Sequence, residues 1–246
     1  MDFTFGIVTD GSVDENINHI INTIEIQNIP NYEIVVVGNS KVSRAKTTII
    51  EFNEAERPKW TSRKKNVIIK NAKYENVVVM HDYNSLTPHW YEGWLKFGND
   101  FHIATNKVES LEGYRWCDWT LYPYLDLPGK NRVQALIPYD IQPPKGFSQL
   151  MYIHGGYFVV KKHVMEEFPF SENLIWGQPY DDLWSFVVGQ KYEFSCNAHS
   201  VTKLLKHKHW NWDYVPENSL KWLFENERYK SPEIIANRIA VIRQYL

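Results

Sequence analysis

The chain has few cysteines, little net charge and no long apolar segment. Only two of its 246 residues are cysteines, Cys117 and Cys196, and their separation fits neither a zinc-ligand spacing nor a disulfide framework. We therefore expect reduced thiols in a cytoplasmic protein. The formal net charge of −2 excludes a strong general field that would attract nucleic acid or an anionic membrane.

Several other signals are missing. No apolar segment approaches the roughly eighteen residues that a membrane span needs. The N-terminus lacks a basic region followed by an apolar run, so we expect no signal peptide. Peripheral membrane contact stays open, and the sequence does not indicate an oligomeric state. No G-x-G-x-x-G or Walker A motif occurs, which argues against a dinucleotide site or a P-loop.

Buried strands alternate with amphipathic helices in the first ninety residues. Ser12, with Glu15 three residues later, is predicted to cap the first helix. This order predicts an α/β fold with a parallel sheet and crossover helices. The predicted strands cover 3–9, 32–37, 47–52 and 77–80, and the predicted helices cover 14–27 and 62–72.

The second half has a different character. Residues 109–146 are rich in proline, glycine and aromatics and predict loops with short strands, whereas 153–160 predicts a strand with paired glycines. Helices are predicted at 162–168, 181–188 and 220–245, the last interrupted near Ser231-Pro232. We treat residues 1–246 as one domain. It has a nucleotide-binding half at 1–105, an acceptor and catalytic half at 106–212 and a helical tail at 213–246.

Polar residues follow three predicted strands. In parallel sheets ligands bind at the carboxyl ends of the strands, so Thr9-Asp10-Gly11, Gly38-Asn39 and the segment Asp82 to Asn84 are predicted to share one edge. Asp82 and Asn84 are two apart and would lie on one face of a strand. Two such oxygen ligands can hold Mg²⁺ or Mn²⁺. The alternative is a plain turn, in which Asp and Asn are favoured.

Two further groups carry candidate chemistry. Asp181 and Asp182 open a helix, where they either complement the helix dipole or provide a general base. His207 and His209 are two apart and would face the same way, toward a metal or a phosphate. The alternative is a solvated basic segment. Lys206 and Lys208 flank the pair and would offset the charge of a diphosphate. Among Arg63, Lys64 and Lys65, we favour Lys65 for contact with a phosphate or nucleotide.

The order of these motifs resembles the GT-A fold glycosyltransferases, most closely the inverting family-2-like members. His81-Asp82-Tyr83-Asn84 stands where that family has its D-x-D motif. Trp176-Gly177 followed by Asp181-Asp182 and Trp184-Ser185 is similar to its Trp-Gly, Glu-Asp and Trp-Ser motifs. Gly155-Gly156-Tyr157-Phe158 matches the strand ahead of the catalytic loop. The resemblance covers roughly residues 3 to 212, and it departs from the family at Asn84 and Asp181.

The resemblance implies a metal-dependent enzyme that uses a nucleotide-diphosphate sugar, with a UDP-sugar favoured, and a carbohydrate acceptor. Asp82, with Asn84 and His207 or His209, would hold Mn²⁺ or Mg²⁺. Asp182 would be the general base, with Asp181 as the alternative. The residues implied around the nucleotide are Thr9, Asp10, Gly11, Asn39, Lys65, His81 and Asp82.

Aromatic residues allow two interpretations. Trp116, Trp119 and Trp176 could stack on sugar rings or belong to the core. Two rival functions also remain. A sugar nucleotidyltransferase would carry a glycine-rich basic loop after the first strand, and Thr9-Asp10-Gly11-Ser12 lacks the basic residue. A non-catalytic sugar-binding module with a degenerate GT-A fold is compatible with Asn84.

Overall fold

The computed structural model describes residues 1–121, 135–208, 213–214, 217–227 and 230–243. Strands and helices alternate in the first part of the chain, as the apolar periodicity predicts. These elements are β1 (Phe3–Val8), α1 (Asp14–Glu25), β2 (Tyr32–Val37), β3 (Thr47–Ile50), α2 (Thr61–Asn71) and β4 (Asn76–His81).

Shorter elements follow. The segment after β4 forms β5 (Asn84–Leu86), α3 (Trp90–Phe97), β6 (Ile103–Glu109), β7 (Arg115–Trp116) and β8 (Thr120–Leu121). After the next described residues come β9 (Ala135–Leu136), a 3₁₀ turn (Ser148–Leu150), β10 (Met151–Tyr152), β11 (Tyr157–Lys161), α4 (Lys162–Glu167), α5 (Tyr180–Gly189) and β12 (Phe194–Leu204). The last described elements are β13 (Asp213–Tyr214), α6 (Glu217–Glu225) and α7 (Pro232–Arg243).

A mixed sheet organises the structure. Its strand order is β3-β2-β1-β4-β11-β6-β12-β5, with β7 paired to β6. The first four strands are parallel, β11 runs antiparallel to both β4 and β6, and β12 is parallel to β6. A second, smaller sheet has the order β10-β8-β9-β13. Because β1 and β4 are parallel neighbours, their carboxyl ends lie side by side.

The sheet is buried on both faces. Along β4, Val77 and Val79 pack into one core cluster while Val78 and Met80 pack into another, as the two-residue period of a strand requires. Helix α1 covers the second face with four buried isoleucines, and α2 covers the first with Ile68 and Ile69. Strands buried on both faces need continuous apolar runs, which explains why β1 and β4 are visible in the sequence.

Gly6 lies in the middle of β1, directly under α2. A Cβ atom at this position would lie 2.2 Å from Ile68 Cγ2. We expect Gly6→Ala to lower the free energy of unfolding by about 1–3 kcal/mol, because the helix must move away from the sheet. Urea unfolding of Gly6→Ala, of Ile68→Ala and of the double variant measures this, because Ile68→Ala removes the Cγ2 methyl that the new Cβ atom would meet. Gly6→Ala should cost less in the Ile68→Ala background than in the wild type, and equal costs in both backgrounds would contradict the steric explanation.

The sequence interpretation missed some elements and one cap. It did not predict α3, β6 or β12. Ser12 does not cap α1: the cap residue is Val13, and the Ser12 hydroxyl donates to Asp10 Oδ1 at 2.6 Å. The break predicted near Ser231-Pro232 lies between α6 and α7. In the described part of the chain no helix is both long enough and apolar enough to cross a bilayer.

Candidate functional site

The candidate site lies at the carboxyl ends of β1 and β4. Thr9 directly follows β1 and Asp82 directly follows β4, and the Thr9 hydroxyl donates to Asp82 Oδ2 at 2.7 Å. The backbone N–H of Gly11 in turn donates to Thr9 Oγ1 at 3.0 Å. Beside this network lies a cavity of about 300 Å³, whose lining includes Thr9, Asp10, His81 and Asp82. The structure therefore brings these four predicted residues together.

Asp82 is the carboxylate at the centre of this edge. Burial raises the pKa of Asp82, while the hydrogen bond from Thr9 acts in the opposite direction. Within the described residues, Oδ1 of Asp82 makes no hydrogen bond. A partly desolvated carboxylate with one free oxygen on a cavity wall can accept a hydrogen bond from a ligand or hold a cation.

Asn84 is not part of the cavity wall. A turn at Asp82 and Tyr83 ends β4, and β5 begins at Asn84, so the two predicted ligands do not lie on one strand. The Asn84 side chain is buried, and its amide donates to the carbonyl oxygens of Gly156 at 2.8 Å and His81 at 3.2 Å. These contacts give the carboxamide a structural role in joining β4 to β11.

Two glycine turns shape the edge next to Thr9. Gly11 has a φ of +86°, and a Cβ atom there would lie 2.1 Å from the carbonyl oxygen of Asn39. Gly38, with a φ of +145°, approaches the carbonyl oxygen of Thr9 in the same way. The loops after β1 and β2 are therefore in direct contact, and Gly11 and Asn39 lie beside the cavity residues without being among those that line it.

The acidic pair lies in the first turn of α5. Asp181 Oδ2 accepts hydrogen bonds from the Gly155 N–H and from the Tyr152 hydroxyl, both at 2.9 Å. Asp182 is half-buried on the same turn. Burial raises the pKa of Tyr152 well above its usual value, and the charges of Asp181 and Asp182 add to that effect. The hydrogen bonds from Gly155 and Tyr152 thus fix the Asp181 carboxylate, and both carboxylates lie near Tyr152.

Lys65 lies beneath this pair and does not line the cavity. Its side chain is fully buried, and Nζ donates to the Gly155 carbonyl at 2.5 Å and to the Tyr180 hydroxyl at 3.2 Å. Burial lowers the pKa of Lys65 to about 7, although the charge of Asp181 opposes that shift. The predicted contact with a nucleotide stays a prediction, and the observed contacts instead connect Lys65 to Asp181 through Gly155.

The turn at residues 154–156 lies close both to Asp181 and to Tyr83, a residue that lines the cavity. A Cβ atom on Gly155 would lie 2.7 Å from Asp181 Oδ2 and 2.8 Å from Lys65 Nζ. On Gly156 it would lie 2.6 Å from His154 Cε1 and 2.9 Å from the Tyr83 hydroxyl. Without a Cβ atom at either position, Asp181 approaches this turn at Gly155 and Tyr83 approaches it at Gly156.

His81 is buried at the end of β4. Burial and the nearby charge of Lys65 lower the pKa of His81 well below its usual value, so the imidazole is neutral. Its Nε2 atom is buried and has no hydrogen-bond partner within the described residues. An unpartnered ring nitrogen beside the cavity can accept one hydrogen bond from a bound molecule or donate one to it.

Of the two histidines predicted to bind a metal, the structure describes His207 and does not describe His209. His207 is exposed, pairs through Nδ1 with Glu112 Oε1, and does not line the cavity. His209 lies outside the described residues. Among the residues that the structure describes, no three His, Cys, Asp or Glu side chains are arranged to hold a metal ion.

The tryptophans divide between core and cavity. Trp116 and Trp119 are buried in the core, at 5% and 0% exposure. The prediction that these two rings stack on sugars is therefore wrong. Trp176 is 53% exposed and lines the cavity. Its loop is attached to the segment before α2: the Trp176 N–H donates to the Lys59 carbonyl at 2.9 Å, and Trp60 Nε1 donates to the Glu172 carbonyl at 2.7 Å.

Two charged residues of the cavity wall, Lys59 and Glu54, were not predicted, and Lys64 lines the cavity in place of the favoured Lys65. Lys64 is buried, donates to the Thr9 carbonyl at 2.6 Å and pairs with Glu54. Lys59 and Glu54 come from the loop before α2. The helical period alone could not distinguish Lys64 from Lys65, because both are buried, on adjacent sides of the first turns of α2.

No protein-family model matches the chain, and no curated protein matches its sequence. Solved structures do share its fold. TarS 1-349 from S. aureus in complex with UDP-GlcNAc superposes with a TM-score of 0.57 at 14% identity, over 100% of this chain and 71% of that chain. GalNAc-T7 with UDP, GalNAc and Mn²⁺ superposes with a TM-score of 0.62 at 11% identity, over 87% of this chain and 45% of that chain.

These neighbours are glycosyltransferases. The chain has a GT-A-like fold, with a large, mostly parallel sheet flanked by helices. The predicted fold class is therefore confirmed.

Proposed function

We propose that the chain is a glycosyltransferase that moves a sugar from a nucleotide-diphosphate sugar to a hydroxyl group of a carbohydrate acceptor. One observation carries the proposal. Tyr83, which lines the cavity that holds Asp82, and Asp181 of the acidic pair both approach the same glycine turn, near the sheet edge where ligands of α/β folds bind. The UDP and UDP-GlcNAc complexes of the two structural neighbours support a UDP-sugar as the donor.

The residues around Asp82 fit a divalent cation that is shared with the donor. Mg²⁺ is usually held by one or two carboxylates together with substrate phosphates. Asp82 offers a free carboxylate oxygen, and Asp10 lines the same cavity. Asp82 would hold Mn²⁺ or Mg²⁺, and the bound ion would neutralise charge on the diphosphate as a Lewis acid.

The proposed reaction is a single displacement with inversion. Asp182 accepts the proton of the acceptor hydroxyl, and that oxygen forms a bond to the anomeric carbon. The bond from the anomeric carbon to the phosphate oxygen breaks, and its electron pair leaves with the nucleoside diphosphate. Asp181, fixed by Gly155 and Tyr152, positions the turn that carries Asp182. Trp176 lies exposed at the cavity and can stack on a sugar ring.

Nucleotide binding is the first test. We expect one of UDP, GDP, dTDP and CDP to raise the unfolding temperature, UDP most of all, because a ligand of the native state adds RT ln(1 + [L]/Kd) to stability. Each nucleotide is measured with Mn²⁺ and with EDTA. Loss of the UDP shift in Asp82→Ala, compared with Asp2→Ala on the opposite edge of the sheet, would locate binding at the cavity. No shift with any nucleotide would contradict the proposal.

Product configuration tests the displacement. NMR of the glycosylated product should show the anomeric configuration opposite to that of the donor. A retained configuration would contradict the single displacement while leaving sugar transfer in place. Saturable nucleotide binding without transfer to any acceptor would favour the non-catalytic module.

A further inference from the structure

Three lysines line the cavity, and their ammonium groups are in different environments. Lys64 is buried and hydrogen-bonded to Thr9 and Glu54. Lys59 lies 5.0 Å from the centre of the Trp176 ring. Lys206 is exposed and lies 3.9 Å from the centre of the Tyr83 ring. Since Tyr83 follows Asp82 directly, Lys206 lies at the Asp82 end of the cavity, where its charge and that of Lys64 both lower the pKa of Asp82.

Tyr83 carries a second cation. Lys208 lies 4.2 Å from the centre of the same ring, and its Nζ donates to the Tyr83 hydroxyl at 3.0 Å. The Tyr83 side chain is itself buried at the turn after β4, against Gly156. One fixed aromatic ring therefore holds two ammonium groups, and of these two lysines Lys206 lines the cavity.

The repulsion between these ammonium groups is offset in part, by the Tyr83 ring and, for Lys208, by the charge of Asp181. Two like charges on one ring repel each other, and within the described residues neither Lys206 nor Lys208 forms an ion pair with a carboxylate. Asp82 lies close enough to feel the charge of Lys206 but is not paired with it. A bound polyanion would satisfy both cations, and a diphosphate is the polyanion that the neighbouring carboxylate site would share through a metal.

We propose that Lys206, supported by Lys208, binds the diphosphate of the donor directly and supplies positive charge there independently of a divalent metal. This inference rests on the proposed function. As the bond to the anomeric carbon breaks, its electron pair stays on the phosphate oxygen, and the ammonium group of Lys206 meets that added negative charge. No redox partner or further reactant is required.

Affinity measurements separate the phosphates from the nucleoside. UDP, UMP and uridine are titrated by calorimetry into the wild type, Lys206→Met and Lys206→Arg, each with EDTA and with Mn²⁺. We expect Lys206→Met to weaken UDP binding about tenfold or more in both conditions, the loss of one charged hydrogen bond. Uridine affinity should stay within about twofold, and Lys206→Arg should keep most of the UDP affinity. Added salt should reduce the difference.

Lys46→Met is the matched control. Lys46 also lies over a tyrosine, 4.1 Å from the centre of the Tyr32 ring, but at the start of β2, at the opposite end of the sheet from the cavity. The Lys46→Met variant removes the same charge from the same kind of cation–π contact and should leave UDP affinity unchanged. Similar losses in both variants would mean that net charge alone is responsible, which would overturn the proposal.

Other outcomes are equally decisive. Unchanged UDP affinity in Lys206→Met, a matching loss for uridine, or a loss seen with Mn²⁺ but absent with EDTA would each overturn the direct phosphate contact. If the wild type and Lys206→Met bind UDP equally well, that result contradicts this inference alone. Wild-type protein that binds none of UDP, GDP, dTDP and CDP contradicts the proposed function as well.

Discussion

Asp182→Asn is expected to lower the rate of sugar transfer by at least about a hundredfold, with the fold preserved. An amide of the same size cannot accept the proton of the attacking hydroxyl. Asp182 is half-buried in the first turn of α5, where a carboxylate contributes about 0.3–1 kcal/mol through the helix dipole. Initial rates at saturating donor, together with the unfolding temperature, separate the lost base from lost stability.

Two variants serve as comparisons. Glu15→Gln changes an exposed carboxylate in the first turn of α1 and should leave the rate unchanged. Asp181→Asn keeps an oxygen that can accept the hydrogen bonds from Gly155 and Tyr152, and we expect a smaller rate loss than for Asp182→Asn. If Asp181→Asn is the more damaging change at equal stability, Asp181 is the base and our assignment is wrong.

Lys65→Met is the second variant with a large expected effect. It removes the ammonium group that holds the Gly155 carbonyl, while the Gly155 N–H holds Asp181. A small displacement of this turn misplaces the acidic pair, so we expect kcat to fall about tenfold or more with little change in donor affinity. The matched control is Lys70→Met, an exposed lysine on the same helix. A large loss of donor affinity in Lys65→Met would instead favour direct contact with the nucleotide.

The same variant should change how stability depends on pH. The pKa of Lys65 falls from 10.5 to about 7 on folding, because the ammonium group is buried. Between these values the unfolded chain binds a proton that the folded protein has released, so the free energy of unfolding rises with pH. From pH 7 to pH 9 this contributes about 2 kcal/mol. Burial also lowers the pKa of Lys208, to about 8, so part of the rise remains in Lys65→Met. Urea unfolding at both pH values should show a rise about 2 kcal/mol larger in the wild type than in Lys65→Met, and equal rises would contradict this.

The parallel half of the fold could be predicted from the sequence. Strands such as β4 are buried on both faces, and their continuous apolar runs are visible without a structure. Strand β12 was missed because several of its buried residues are polar, Asn197, Ser200 and Thr202, and a bulge follows Asn197. Strand β6 was missed because it buries the polar residues Thr105 and Asn106. Polar residues inside a sheet give no apolar pattern, and tertiary hydrogen bonds decide their place.

The candidate site was predictable in its position and less so in its contacts. Thr9, Asp10 and Asp82 follow buried strands, and the rule for parallel sheets places them together. The prediction that Asn84 is a ligand required the strand to continue straight after Asp82. The chain turns there instead, and the hydrogen bonds from Asn84 to Gly156 and His81 hold that turn. The burial of Lys65 depends on packing between α2 and the turn at Gly155. Such long-range contacts leave no signal in the local sequence.

Turnover of the donor tests the central claim most directly, because water can replace an unknown acceptor. The protein is incubated with UDP-, GDP- and dTDP-sugars, and release of the nucleoside diphosphate is measured for the wild type and Asp182→Asn. We predict release from one class of donor by the wild type, UDP-sugars first, and at least about a hundredfold less by Asp182→Asn. Saturable binding of a donor with no release, or equal release by both proteins, would contradict a glycosyltransferase that uses Asp182 as its base.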